Sequence, residues 1–309
     1  MKSKSVTGSC ALRAHRWTSG RMIERILGAF LVSWMLLTPV GAADRGRPNV
    51  LFIIVDDLND WVGHLGGHPQ AKTPNIDRLA SQGVSFFRAF GPSPVCNPSR
   101  TAVLTGLRAG TAGVYDNTHD WRKHLPVSHT LPATFRQAGY RMLGTGKIFH
   151  SLFNEIAGVW HEWRPFNSKD PEPAAGVSLG VEGIRVAPLD VADDALQDYQ
   201  SVSWAIERLE RQPSGPFFLA CGLYRPHMPM NVRRKYFDLH PLEKIILPKV
   251  LESDADDLPK TGKFYSRNST SHGSAAKKPD HELIVESGRW KEAVPAYLAA
   301  VSFADAQVG

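Results

Sequence analysis

The 309 residues are 42% hydrophobic and 21% charged, a balance that suits one large globular domain or two modest ones. The formal charge of +6 hints at a polyanion partner, but Lys2, Lys4, Arg13, Arg16, Arg21 and Arg25 against Glu24 carry +5 of it before residue 44. The remainder is nearly neutral and implies no nucleic-acid partner, and Cys96 and Cys221, the two cysteines outside that basic segment, are too few for a disulfide framework.

Residues 1–43 read as a secretory leader: a basic start, an apolar stretch from Ile26 to Leu37, then Thr38-Pro39 and the small residues Gly41-Ala42-Ala43. The apolar stretch is too short for a comfortable membrane span, which predicts cleavage after Ala42 or Ala43 and no membrane anchor thereafter. Met22 gives a more ordinary leader and is read as the true start. The expected location is secreted or periplasmic, or lysosomal in a eukaryote.

Asn49 to Val55 is an unbroken apolar run of strand length, as in a strand buried on both faces, and it ends in Asp56-Asp57. Thr73-Pro74 reads as N-cap and first residue of a helix with an Ile76, Leu79, Ala80 face, stopped by Gly83. Val84 to Phe90 is a second strand candidate. The loop Gly91 to Pro94 leads to Cys96, placed just before a helix with Pro98 in its first turn and a stop at Gly106. Leu131-Pro132 opens another helix through Phe135, closed by Gly139. Tyr140 to Gly144 is a third strand leading into Lys147 and His150. A long loop is expected from Arg164 to Asp190, then a helix with its apolar stripe on Ala195, Leu196, Tyr199, Val202, Ile206 and Leu209. Pro216 to Gly222 is the next buried strand, with Cys221 a core residue, and Arg225-Pro226-His227 follows. Residues 252–290 read as an irregular excursion with a glycosylation-type triplet at Asn268-Ser269-Thr270. Pro295 to Val308 reads as a helix. This alternation predicts an α/β fold: a doubly wound, mostly parallel sheet with helices on both faces. The sequence stops at Gly309 on a half-finished alternation, so residues 44–309 are expected to be an incomplete domain.

In such sheets ligands bind beyond the carboxyl ends of the strands. Three strands here end in chemically capable residues: Asp56 and Asp57, then Lys147 and His150, then His227. Cys96 and Arg100 enter from the loop and helix after the second strand, where a helix N-terminus and an arginine make an electropositive spot. Adjacent carboxylates repel unless a cation lies between them, and oxygen ligands suit Ca²⁺ or Mg²⁺ rather than Zn²⁺. A solvated turn is the plain alternative for that pair. A cation, Arg100, Lys147 and two histidines together describe a pocket for an oxyanion ester. Direct thiol catalysis of the cysteine-phosphatase kind is disfavoured, because three residues rather than five separate Cys96 from Arg100. Zinc is disfavoured because no second cysteine lies at ligand spacing.

Cys96-Asn97-Pro98-Ser99-Arg100 resembles the Cys-x-Pro-Ser-Arg signature of the type I sulfatases of the alkaline phosphatase superfamily. The resemblance runs through Asn49 to Asp57, Thr73 to Gly83, Thr105-Gly106, Gly146 to His150 and Arg225 to His227. Gly113-Val114-Tyr115-Asp116-Asn117 and Phe149-His150 are most similar to the iduronate-2-sulfatase branch. The resemblance implies a sulfuric ester hydrolase acting on a sulfated sugar of glycosaminoglycan type. It implies that a formylglycine-generating or equivalent maturation enzyme oxidises Cys96 to formylglycine. One hydroxyl of the hydrated aldehyde attacks sulfur and releases the alcohol; the second expels sulfate and restores the aldehyde. It implies one Ca²⁺ held by Asp56, Asp57 and an oxygen of residue 96. Arg100 then holds the anionic nucleophile, Lys147 bridges nucleophile and sulfate, His150 orients the nucleophile, and His227 contacts the sulfate or protonates the leaving oxygen. The family completes its metal site with a later Asp-His or Asp-Asn pair. Asp280-His281 is the only Asp-His here and lacks a preceding buried strand, so the pair is expected beyond Gly309. Two rival readings stand beside this one: a phosphodiester or phosphonate hydrolase of the same superfamily, and an inactive truncated carbohydrate-binding relative.

Overall fold

Apolar runs of strand length build a parallel sheet from β1 (Val50–Val55), β2 (Arg141–Gly146), β3 (Glu162–Arg164) and β4 (Phe217–Leu223), in the order β1-β4-β2-β3. The structure is a computed structural model that describes residues 46–150, 156, 158–166, 169–173, 175–179, 185–211, 213–251, 253–267 and 280–309. The leader expected at 1–43 and the triplet at Asn268 lie outside them. Pro48–Gly309 forms one unit.

β4 is buried along its whole length, and its alternation assigns it two faces. Phe218 and Ala220 point into a core with Leu104, Trp121, Met142 and Phe149. Phe217, Leu219, Cys221 and Leu223 point the other way, against Leu143, Ala205 and Ala304. Each such large side chain contributes roughly 1.5–3 kcal/mol of burial. The first core is covered by α2 (Cys96–Thr105) and α3 (Leu131–Gln137), and the second by α4 (Gln197–Glu210) and α5 (Trp290–Val308). Helices therefore cover both faces, as the alternation predicts.

α1 (Pro74–Gln82) starts with a proline at its first position. Thr73 does not cap it. The cap comes from across the molecule: Asp305 on α5 accepts the Asn75 and Ile76 N–H groups at 3.0 and 2.8 Å. Thr73 Oγ1 instead accepts the Gly63 N–H at 2.8 Å.

Several expectations need correction. Val84 to Phe90 is not a strand; Phe86, Phe87 and Phe90 are exposed and find no partner strand among the described residues, and a strand needs one. Cys96 is the first residue of α2 rather than the residue before it. The stretch read as a loop from Arg164 carries a short antiparallel pair, Val177–Ser178 with Arg185–Val186, and β3 precedes it. The stretch read as irregular contains helices at Lys260–Arg267 and Asp280–Glu286.

α5 is also joined to the rest by His240, which is buried and held at 3.0 Å from Ser302 Oγ. Ser302 donates its proton to the Lys72 carbonyl, so the His240 Nε2–H must be the donor to Ser302. Burial, then the Lys72 charge, depresses the His240 pKa to about 4. Because the folded value lies below the ordinary 6.5, this group's contribution is fully present above pH 6.5 and is lost as pH falls toward 4, up to about 3 kcal/mol. We predict that His240→Gln flattens the acid limb of the stability–pH curve between those values, as measured by urea midpoints; a slope identical to wild type contradicts the assignment.

Candidate active site

Parallel strands deliver their carboxyl ends to one side of the sheet, so the residues leaving β1, β2 and β4 meet there. Two glycines let β2 and β4 close up at that end. The Lys147 N–H donates to the Gly222 carbonyl at 3.0 Å, and a Cβ on Gly146, at φ 76°, would lie 1.9 Å from that oxygen.

Asp56, at the end of β1, is buried between two cations. Arg100 on α2 donates to its Oδ1 through Nε at 3.1 Å and Nη2 at 2.5 Å. Lys147, after β2, is buried and ion-paired with Oδ2. Burial pushes the Asp56 pKa up, but the Arg100 and Lys147 charges together outweigh it and hold the carboxyl below its ordinary range. Arg100 also donates Nη1 to the Lys147 and Ile148 carbonyls at 2.5 and 3.0 Å, so four of its five N–H donors are engaged and the fork is fixed.

Asp57 is half-exposed and differs in every respect. Burial and the neighbouring Asp56 charge raise its pKa. Its backbone is left-handed, at φ 55°. Its Oδ2 lies 3.8 Å from His227 Nε2. The His227 Nδ1 sits 2.5 Å from the Met228 carbonyl, an acceptor only, so Nδ1 carries the proton and Nε2 is the free lone pair facing the site. Burial, then the Lys147 charge, lowers the His227 pKa. His150 is depressed further, to about 4, by burial and then Lys147, and its Nδ1 is buried without a partner. At neutral pH His150 is therefore an uncharged imidazole.

Cys96 is half-buried at the first turn of α2, and its Sγ donates to Asn117 Oδ1 at 3.4 Å. The same oxygen accepts the Asn97 N–H at 3.0 Å. A cleft of about 330 Å³ opens here, lined by Asp56, Asp57, Cys96, Ser99, Arg100 and Ile148 among others. Lys147 and His227 do not line it but adjoin residues that do, Lys147 in its ion pair with Asp56 and His227 3.8 Å from Asp57, and His150 is close enough to feel the charges of Lys147, Asp56 and Arg100. All seven residues singled out from sequence thus belong to one cluster. At this end of the helix the Asn97 and Ser99 N–H groups are already taken, by Asn117 Oδ1 and the Val95 carbonyl, and Pro98 has none, so it is the helix dipole and the two cations, not free N–H groups, that favour an anion.

Does this donor set suit a hard cation? Two adjacent carboxylates, one raised by the other's charge, have the right chemistry. They supply only part of the six to eight oxygens that Ca²⁺ takes. Among the described residues no three His, Cys, Asp or Glu side chains converge closely enough to hold an ion, so Asp56, Asp57 and Cys96 border one cleft without forming a closed ligand set. Asp280-His281 does not complete it: both lie on the helix Asp280–Glu286, and His281 packs edge-on against Trp290.

Tyr224, Asp198 and Asn117 support the site without having been singled out from the sequence as functional. Tyr224 stacks on His227 at 4.6 Å, carries the Lys147 Nζ 4.9 Å above its ring, and donates its hydroxyl to the Met228 carbonyl. Asp198 on α4 is buried, pushed up to about 6, and accepts the Tyr224 and Arg225 N–H groups at 2.7 and 2.8 Å. Arg225 pairs with Asp170 at 2.8 Å, so the turn that carries His227 is fixed from behind. Tyr224 could have been found, because it adjoins the Arg-Pro-His motif. Asn117 had a signal too, as the last residue of a family-like segment. Asp198 offered none, being one acidic residue in an amphipathic helix.

The sulfatase family model matches residues 48–309. The chain belongs to the sulfatase family. It is 36% identical over 281 residues to a protein described as a sulfatase from Formosa agariphila, which covers 85% of this chain and 54% of that one. It is 35% identical over 236 residues to iduronate 2-sulfatase of Mus musculus, which covers 72% of this chain and 42% of that one. These similar identities do not single out the iduronate branch. A phosphonate monoester hydrolase structure from Agrobacterium radiobacter has a TM-score of 0.60 at 19% identity, covering 85% of this chain and 58% of that one, and it supports the α/β fold. The sulfatase chain spans about half the length of the curated relatives it matches.

The cluster predicts a stability effect. Asp56→Ala strands two buried cations, Arg100 and Lys147, without a counter-charge. We expect a loss of about 3–5 kcal/mol by denaturant unfolding, the range for one partner removed from a buried pair. A loss below about 1 kcal/mol, typical of exposed pairs, contradicts the burial argument.

Proposed function

We propose that this chain carries the catalytic residues of a sulfuric ester hydrolase that releases sulfate from a sulfated sugar. The observation that carries the proposal is the convergence of Cys96, Arg100, Asp56 and Asp57 on one cleft at the carboxyl end of β1, in a chain of the sulfatase family. The iduronate 2-sulfatase relative supports a sulfated sugar as the substrate class. The leader-like residues 1–43 support export, and among the described residues no helix is long and apolar enough to cross a membrane.

Two absent groups belong to the proposal. Oxidation of Cys96 by a maturation enzyme would supply formylglycine, whose hydrated form is an oxygen nucleophile toward sulfur. Ca²⁺ held in part by Asp56 and Asp57 would supply positive charge toward the sulfate oxygens. The chain's own residues do the rest. Arg100, fixed by Asp56 and two carbonyls, keeps its charge beside residue 96. Lys147 adds a second positive charge, buried where water screens it little. His227 donates its Nδ1–H to the Met228 carbonyl, which leaves Nε2, 3.8 Å from Asp57 Oδ2, without a proton; in this state it fits contact with a protonated group rather than protonation of the leaving oxygen. His150 is uncharged at neutral pH, its Nδ1 has no protein partner, and its proposed part is to orient the nucleophile. Asn117 Oδ1 already accepts from the residue 96 side chain and so orients it.

The test is paired turnover of an aryl sulfate and an aryl phosphonate monoester by the exported chain, with Cys96→Ala as control. Sulfate hydrolysis that falls to background in the variant, at unchanged melting temperature, supports the proposal. Preference for the phosphonate favours the rival hydrolase, and no turnover of either favours the inactive relative.

A further inference from the structure

Asp57 is the one non-glycine residue with positive φ among the described residues. Such a backbone is uncommon outside glycine and persists where surrounding contacts fix it. The contact that does so comes from the far end of the chain. Tyr297, on α5, donates its hydroxyl proton to the Asp57 carbonyl at 2.8 Å. The Tyr297 hydroxyl oxygen in turn accepts the Asn59 N–H at 2.9 Å. One hydroxyl therefore bridges the two ends of the turn that leaves β1, using both its donor and its acceptor capacity. Its ring is held in turn. It packs edge-on against Trp61 at 5.4 Å, and Trp61 lies on His68 at 4.5 Å. The turn is reinforced from within by Asn59 Oδ1, which accepts the Trp61 N–H at 2.9 Å. α5 is itself anchored through Ser302 to His240 and through Asp305 to α1, so the hydroxyl is presented from a fixed frame.

We propose that Tyr297 is a positioning residue: its hydroxyl clamps the Asp57–Asn59 turn in the left-handed conformation that aims the Asp57 carboxylate at His227 and the cleft. The role in turnover rests on the reading of the cleft as an ester-hydrolysing site; the clamp itself does not. Tyr297 touches none of the reacting groups. It acts through the backbone of Asp57, over 240 residues of sequence. A ring that only filled space would need no hydroxyl at this spot.

The test is Tyr297→Phe in the full chain, which keeps the ring on Trp61 and removes the clamp. The expected result is an unchanged far-ultraviolet circular dichroism spectrum, with Asn59 amide exchange roughly tenfold faster, about the net worth of one hydrogen bond. Terbium or Ca²⁺ titration is expected to give affinity roughly tenfold weaker, and kcat roughly tenfold lower with KM little changed, on the same reasoning. Exchange, affinity and kcat all equal to wild type overturn the proposal, and so does faster exchange with unchanged affinity and kcat. A measurement on wild type alone also decides the clamp: the Asn59 amide is expected to be protected relative to that of Asp60, and equal exchange overturns it. If wild type hydrolyses no ester, the reading of the cleft fails, while exchange and affinity still judge the clamp.

Discussion

A buried carboxylate between two buried cations is the constraint on which the rest depends. Asp56 belongs to the end of β1, Arg100 to α2 and Lys147 to the end of β2, so one ion cluster ties three elements at the same end of the sheet. Burying these charges is favourable only when each is paired and its remaining hydrogen-bonding capacity is used. Arg100 comes close to that condition by giving both Nη1 donors to the Lys147 and Ile148 carbonyls. This requires α2 to begin at Cys96, one turn before Arg100, and thereby puts Cys96 at the rim of the same cleft. Gly146 and Gly222 meet a second requirement, the close backbone approach that brings Lys147 beside β4.

The charge balance then divides the neighbours into classes. Asp56 is ionised and spent on its partners. Asp57, outside that cluster, is the carboxylate left with capacity for a further ligand. The two histidines are kept neutral by burial and by Lys147, so each can exchange a hydrogen bond without adding charge. The Ca²⁺ proposed for this site would have to share Asp56 Oδ2 with Lys147. The two buried cations are the feature on which the proposed anionic ester substrate rests.

Much of this was legible in the sequence, because period and punctuation report burial. The unbroken run at Phe217–Leu223 announced a strand covered on both faces, and Thr73-Pro74, Gly106 and Gly139 marked helix ends; the run at Val50–Val55 announced a strand but not its burial, because β1 is an edge of the described sheet, with Leu51 exposed and the rest only partly buried. The strand-end residues were legible because parallel topology gathers carboxyl ends. Val84 to Phe90 was misread because apolar content reports a wish for burial, not a pairing partner. The order β1-β4-β2-β3 was not legible, since periodicity carries no information about neighbours. Asp198, Asp305 and Tyr297 were illegible for a shared reason. Each serves backbone groups far away in sequence, and only the packed fold shows which donor lies opposite.

The most direct measurement is a mass spectrum of the peptide bearing residue 96, taken from the exported chain before and after treatment with a carbonyl-trapping hydroxylamine. The account predicts an aldehyde in place of the thiol, and its conversion to an oxime with loss of sulfate ester hydrolysis. An unmodified Cys96 thiol in a preparation that still hydrolyses the ester at full rate would contradict it.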